Sequence, residues 1–395
     1  MNYILFDDQS WEQLLPLTFT RPVSELRVGI LKIREKWERL LNCEISAMTR
    51  GYLSQKFFAN FEKDNILINS GLIPSQSIVN KINNLKSDQA LMSQDRILAI
   101  CLKKNKAMDF NYSLYSPHEK NQLSEEIRII ERPWHIFSYN GDEIRNDIKL
   151  ITTKRKSGIL NKSNSLLSAH NIFAEDGVKA EYVTINADAG PVYLGKNSEI
   201  MEGSVIRGPF ALCENSSLKL SAKIYPSTTI GPYSTVGGEV KNSVIQGFSN
   251  KAHDGFLGDS VIGEWCNIGA DSNNSNLKNN YADVKLWSYP ENKFISTGLQ
   301  FCGLIMGDHS KCGINTMFNT GTVVGVNVNI FGSGFHVNFI PSFSWGEPGE
   351  YTVYNSDKAF QVAEKVMSRR NMLLDEKEKA ILVHIYNLEE KYRGK

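Results

Sequence analysis

An aliphatic residue recurs at every sixth position through Leu194, Ile200, Ile206, Leu212, Leu218, Ile224, Ile230 and Val236. Four residues after each stand Ser198, Ser204, Phe210, Ser216, Ala222, Thr228, Ser234 and Val240, small or β-branched in all but one case. The register then slips by two and resumes at Val244, Phe256, Ile262 and Ile268, with Asn250 the one polar member, and a third run follows at Met306, Cys312, Phe318, Val324 and Ile330. A period of six matches neither the α-helix nor a lone amphipathic strand, but it suits short strands joined by tight turns. Glycines such as Gly195, Gly231, Gly263 and Gly307, each next to an aliphatic position, give those turns their backbone freedom. Three hexads close one triangular coil whose aliphatic positions point inward and stack on the next coil, which predicts a left-handed parallel β-helix. Roughly eighteen hexads make about six coils.

The rest of the chain frames that helix. Residues 1–150 mix strand-like runs at 3–6, 66–68 and 96–101 with a helical stretch near 27–41, the alternation of an α/β domain. Residues 151–170 read as a linker, polar and basic in Thr-Thr-Lys-Arg-Lys-Ser-Gly from Thr152. The β-helix is expected over 171–346 and a helical segment over 347–395. In that segment Ser356 or Asp357 is the expected cap of one helix, and Asp375 caps a second with Ile381, Leu382, Ile385 and Leu388 on one stripe.

Charge removes several classes of function. Lys plus Arg (44) balance Asp plus Glu (43), so no field draws the chain to nucleic acid or to anionic lipid. A short apolar run followed by Asp7 and Asp8 does not read as a signal peptide, so none is expected, and no window is long and apolar enough to span a bilayer. The expected location is the cytoplasm. Cys43, Cys101, Cys213, Cys266, Cys302 and Cys312 lack metal-site spacing and read as reduced, mostly buried residues.

One segment carries chemistry: Asn250-Lys-Ala-His253-Asp-Gly-Phe256-Leu-Gly-Asp259-Ser-Val-Ile-Gly-Glu-Trp-Cys-Asn267-Ile-Gly-Ala270, continuing to Asn276-Leu-Lys278. It resembles the acetyltransferase half of the bifunctional GlmU-type enzymes, which combine glucosamine-1-phosphate acetyltransferase and N-acetylglucosamine-1-phosphate uridylyltransferase. Archaeal members are similar also in Thr297-Gly298, Ile305-Met-Gly-Asp308 and Gly313-Ile-Asn315. Taken without the resemblance, a lone histidine in a repeat turn reads as solvated or structural. The resemblance implies that His253 is the general base, since acetyl transfer to a sugar amine needs an unprotonated nucleophile and a base titrating near neutrality. It likewise implies that Lys223 and Lys241 hold the sugar phosphate, and that Glu239, Asn267 and Asn276 orient sugar and amine. Phe256 stands where the bacterial pattern has Tyr, so one hydroxyl contact is missing. His253, His309 and His336 do not reproduce the zinc-binding spacing of β-helix carbonic anhydrases.

The amino-terminal half resembles sugar-1-phosphate nucleotidyltransferases in Leu14-Leu-Pro-Leu-Thr-Phe-Thr-Arg21-Pro22. Those enzymes place a Gly-rich phosphate loop before this phrase and a lysine after it. Here the loop is replaced by Asp7-Asp8-Gln-Ser-Trp-Glu-Gln13 and the lysine by Val23. Asp7, Asp8 and Arg21 are the candidate nucleotide-binding residues, and two adjacent carboxylates repel a triphosphate unless Mg²⁺ intervenes.

The expected protein is a transferase and homotrimer that uses acetyl-CoA as co-substrate. It acts on an amino-sugar phosphate or nucleotide-linked amino sugar, with Mg²⁺ if the nucleotidyltransferase half is active. Two alternatives remain at this point: a sugar-1-phosphate nucleotidyltransferase with an inert β-helix, and a non-catalytic trimeric scaffold that binds sugar nucleotides.

Overall fold

The computed structural model describes residues 1–393. It divides into two compact units, one of residues 1–14, 20–26 and 31–132, the other of residues 15–19, 27–30 and 133 onward. Helix Pro133–Thr152 therefore belongs with the second unit.

The first unit is built on a six-stranded sheet in the order Ser46–Met48, Asn2–Phe6, Asp64–Asn69, Arg96–Lys103, Gln89–Ser93, Glu119–Gln122. Its first three strands run parallel, and Arg96–Lys103 is antiparallel to both of its neighbours. Ile4, Phe6, Leu67, Ala90, Met92 and Ile100 form a core on one face. The helix expected near 27–41 starts only at Ile33. Residues 27–30 are held in the second unit instead: the Gly29 and Ile30 amides donate to Asn140 Oδ1 and Asp147 Oδ2, both at 2.8 Å.

In the second unit the chain winds as a left-handed parallel β-helix. The first face has six strands from Ser165–Leu167 to Phe256–Gly258, and the second has nine from Ile172–Ala174 to Phe339–Ile340. The third has ten, the last of which, Glu350–Val353, turns back antiparallel to Ser344–Glu347. The helix is thus nine coils deep along its second face, against the six expected. The extra coils lie at the two ends, where Ile172, Ala174, Ala180, Ile185 and Ile340 join the stack without keeping the strict period.

The inward stack also differs from the six-residue count in its middle. Ile245, Lys251 and Leu257 point inward, not their neighbours Val244, Asn250 and Phe256. The cause is the corner Gly237–Gly238, a two-residue link between the strands Thr235–Val236 and Glu239–Lys241. Gly238 sits at φ +70°, and a Cβ there would lie 2.8 Å from the Asp254 Cα. Only glycine fits so tight a passage, and the inward positions here step from Val236 to Val240 and Ile245, four and five residues in place of six, before Ile262 and Ile268 fall back on the count.

After Asn273–Asn274 the chain leaves the helix and returns before Ile305–Met306, carrying the antiparallel hairpin Lys285–Ser288 with Lys293–Ser296. The final helices span Ser356–Ser368 and Glu376–Leu388. Asn355, not Ser356 or Asp357, caps the first by accepting from the Lys358 amide, and Asp375 caps the second. Ile381, Leu382 and Ile385 are buried, whereas Leu388 is exposed. Among the described residues no helix is long and apolar enough to cross a membrane, and all six cysteines are free thiols, five of them buried.

Candidate functional site

Short strands on the first face of the β-helix set out the polar residues. Lys223, Glu239 and Phe256 are direct neighbours in the parallel ladder, while Ile224, Val240 and Leu257 beside them face the core. Alternation along each strand therefore turns the three outward in one column. Lys241 takes the next outward place, and its Nζ lies 4.8 Å from the ring centre of Phe301, at the return of the excursion. That is cation–π range and holds the ammonium on this face.

Asp259 organises the start of the excursion. It is 3% exposed, and its two oxygens accept the side-chain amides of Asn242 at 2.7 Å and Asn276 at 2.6 Å. The backbone amides of Phe256 and Gly258 donate to the Asn273 and Asn274 side chains, which pins the strand to the next coil.

His253 is exposed in the corner 252–255, between Asn250–Lys251 on the third face and Phe256–Gly258 on the first. Asn267 pairs with Asn250 and Lys311 on the third face. The structure thus gathers Lys223, Glu239, Lys241 and Asn276 on or beside the first face, puts His253 at its edge, and leaves Asn267 around the corner. Asp259, Asn242 and Phe301 were not singled out from the sequence. Asp259 lay within the quoted motif, but nothing in a six-residue period reveals which amides its carboxylate takes.

In the first unit Asp7, Asp8 and Arg21 are all buried. Asp7 accepts from the Val23 amide at 3.1 Å and from Thr49 Oγ1 at 2.5 Å, and burial pushes its carboxyl up to about 6. Asp8 accepts from the Ser10 amide and from Asn69 Nδ2, both at 2.8 Å, and pairs with Arg96 at 3.1 Å. Beside them opens a cleft of about 530 Å³ lined by Asp8, Gln9, Gln94, Arg96, Tyr112 and Glu131. Both carboxylates are already satisfied by protein donors, so they do not fit a Mg²⁺ ion. Among the described residues no cluster of three or more His, Cys, Asp or Glu side chains has metal-binding geometry.

An α/β unit and a parallel β-helix with a six-residue repeat follow one another in the chain. Residues 3–156 match the sugar nucleotidyl transferase family model. The chain is 30% identical over 153 residues to the putative uncharacterized acetyltransferase YaiX of Escherichia coli, a match covering 38% of this chain and 66% of that protein. It is 31% identical over 159 residues to the bifunctional sugar-1-phosphate nucleotidylyltransferase/acetyltransferase of Sulfurisphaera tokodaii, covering 40% and 37%. To the bifunctional protein GlmU of Methanocaldococcus jannaschii it is 36% identical over 108 residues, covering 27% and 26%. The chain is similar to GlmU-like proteins as a divergent relative. It spans less than two thirds of each of these relatives. Among solved structures, the Arabidopsis UDP-N-acetylglucosamine acyltransferase matches at 18% identity with a TM-score of 0.25, over 54% of this chain and 80% of that one. So low a score carries no argument, and the fold stands on its strand ladders.

Proposed function

We propose that the chain is an acetyl-CoA-dependent N-acetyltransferase for an amino-sugar phosphate or nucleotide-linked amino sugar of the glucosamine-1-phosphate kind, with residues 171–346 carrying the activity. The observation that supports this most is the exposed His253 at the edge of a face whose outward column reads Lys223, Glu239, Phe256. The sugar amine attacks the thioester carbonyl, His253 takes the amine's proton, and the C–S bond breaks to release coenzyme A, whose thiolate is then protonated. Lys223 and Lys241 hold the phosphate as point charges. Glu239 accepts from sugar hydroxyls, and Asn276 and Asn267 fix the sugar and amine. Acetyl-CoA places the reaction in the cytoplasm.

A site on an open outer face needs a second wall, which a neighbouring copy supplies in a homotrimer. Light scattering is expected to give three copies of the 44.5 kDa chain, and a monomer at micromolar concentration counts against this wall. The activity test is thiol release from acetyl-CoA with glucosamine-1-phosphate. His253→Ala should lower kcat by roughly 10²–10⁴, the usual worth of a positioned base, with acetyl-CoA binding little changed. Full activity in that variant would refute the assignment of the base.

A further inference from the structure

Along the third face the inward column reads Ala180, Ile200, Leu218, Val236, Lys251, Ile268, Cys312, Ile330. Lys251 is the one charged member of that column and is 2% exposed. An aliphatic side chain fills this place in most coils, whereas a buried ammonium carries a desolvation cost that no aliphatic side chain does. Burial pulls the Lys251 ammonium down to about 8, against the opposing pull of Asp254, Asp271 and Cys312.

What the lysine does there is visible in its bonds. Its Nζ donates to the carbonyl of Gly237 at 2.9 Å and to that of His253 at 2.8 Å. Both acceptors belong to the irregular part of the helix. The corner Gly237–Gly238 is two residues long, and the corner above it, 252–255, is four. The longer corner overhangs the shorter so closely that a Cβ on Gly238 would lie 2.9 Å from the His253 carbonyl oxygen. The ammonium bridges the mismatch from inside.

We infer that Lys251 is a positioning residue for His253: its ammonium clamps the main chain of the corner that presents the imidazole, joining it to the coil below. This rests on the reading of His253 as the base. The corner needs such a clamp because Gly255, at φ +114°, sits in a conformation with little intrinsic restraint. A base misplaced by about 1 Å loses about 10²-fold in rate.

The test is Lys251→Met, which keeps the length of the side chain and removes both donors. Expected are an unchanged or higher Tm, since a buried charge is gone, and a kcat for acetyl transfer lower by roughly 10–100-fold. The KM for acetyl-CoA should not move. Amide hydrogen exchange across 252–256 should quicken by about tenfold or more while flanking coils keep their protection. In the double variant with His253→Ala, the loss should be no greater than in His253→Ala alone, because the lysine acts through the histidine. A slow His253→Ala beside a Lys251→Met with wild-type rate and exchange would overturn the clamp and spare the base. Additive losses would overturn it too, by showing that the lysine acts elsewhere. A fully active His253→Ala would remove the base and the clamp's purpose together. If the Met variant fails to fold, Lys251→Gln, which can reach one carbonyl only, is judged by the same readouts.

Discussion

Asp259 and Asn276 are joined carboxylate to amide at 2.6 Å, with the second oxygen of Asp259 on Asn242. An ionised carboxylate only accepts, so it fixes Asn276 with its NH₂ inward and its carbonyl oxygen turned away, free to accept from a ligand. Asp259→Asn removes that bias and lets the amide flip. The expected result is a KM for the amino sugar higher by roughly 5–20-fold, the worth of one or two hydrogen bonds, with a smaller change in kcat. Steady-state kinetics against sugar concentration checks this, and an unchanged KM would mean that Asn276 is only a structural partner of Asp259.

Lys241 calls for a different signature from His253. A lysine that holds a phosphate does so equally in ground and transition states, so Lys241→Ala should act through the sugar's KM and leave kcat nearly intact. Its stacking on Phe301 predicts that Phe301→Ala shares part of the effect by freeing the ammonium to move. Thiol-release kinetics on both variants decides it, and a loss confined to kcat would argue against a phosphate clamp.

The inward stack of the β-helix was legible because aliphatic burial leaves a strict mark on sequence: Leu194 to Val236 all lie in the core. The count failed from Gly237–Gly238 onward, where the steps Val236 to Val240 and Val240 to Ile245 are both short and Ile245, Lys251 and Leu257 face inward in place of Val244, Asn250 and Phe256. A glycine pair does not announce that a corner has lost two residues. The site was legible only as residue identities within a motif. Lys223, Glu239 and Lys241 do share a face, but Asn267 lies on another, and the roles of Asp259 and Lys251 come from which atoms meet across coils. The residues 27–30 were misread for a related reason: their partners, Asn140, Asp147 and Gln246, lie more than a hundred residues away.

Asp7 gives a stability prediction with a definite sign. Burial raises its carboxyl to about 6, above the ordinary 3.8, so between about pH 4 and pH 6 the folded chain keeps a proton that the unfolded chain releases. Stability from this group is greatest below pH 4 and is lost as pH rises through 6. Asp7→Asn escapes that loss while keeping an acceptor for the Val23 amide. The variant should therefore gain on wild type, by at most about 3 kcal/mol, at pH 7.5 and lose the advantage near pH 4. Thermal melts of both proteins at the two pH values test it. An advantage independent of pH would show that Asp7 is not protonated in the fold.

The last prediction concerns the cleft of the first unit. A phosphate-binding loop works because its backbone amides point unpaired at the anion. Here the Ser10 amide is already held by Asp8 Oδ1 and the Val23 amide by Asp7 Oδ1, so two carboxylates occupy the donors that a triphosphate would want. Arg96, a cation lining the cleft, is drawn to Asp8 and to Glu131, the latter at 2.6 Å. An incoming UTP or dTTP would have to break these bonds and face Asp8, Asp95 and Glu131 without a site that fits Mg²⁺. Pyrophosphate release from either nucleotide with a sugar-1-phosphate should therefore be weak or absent, whether or not Mg²⁺ is added, and Asp8→Ala should leave acetyl transfer in the β-helix unchanged. A coupled phosphate assay with inorganic pyrophosphatase reads this directly. Strong, Mg²⁺-dependent release that Asp8→Ala abolishes would show instead that Asp8 gives up Ser10 and Arg96 to a metal–nucleotide complex, and both halves of the chain would then be catalytic.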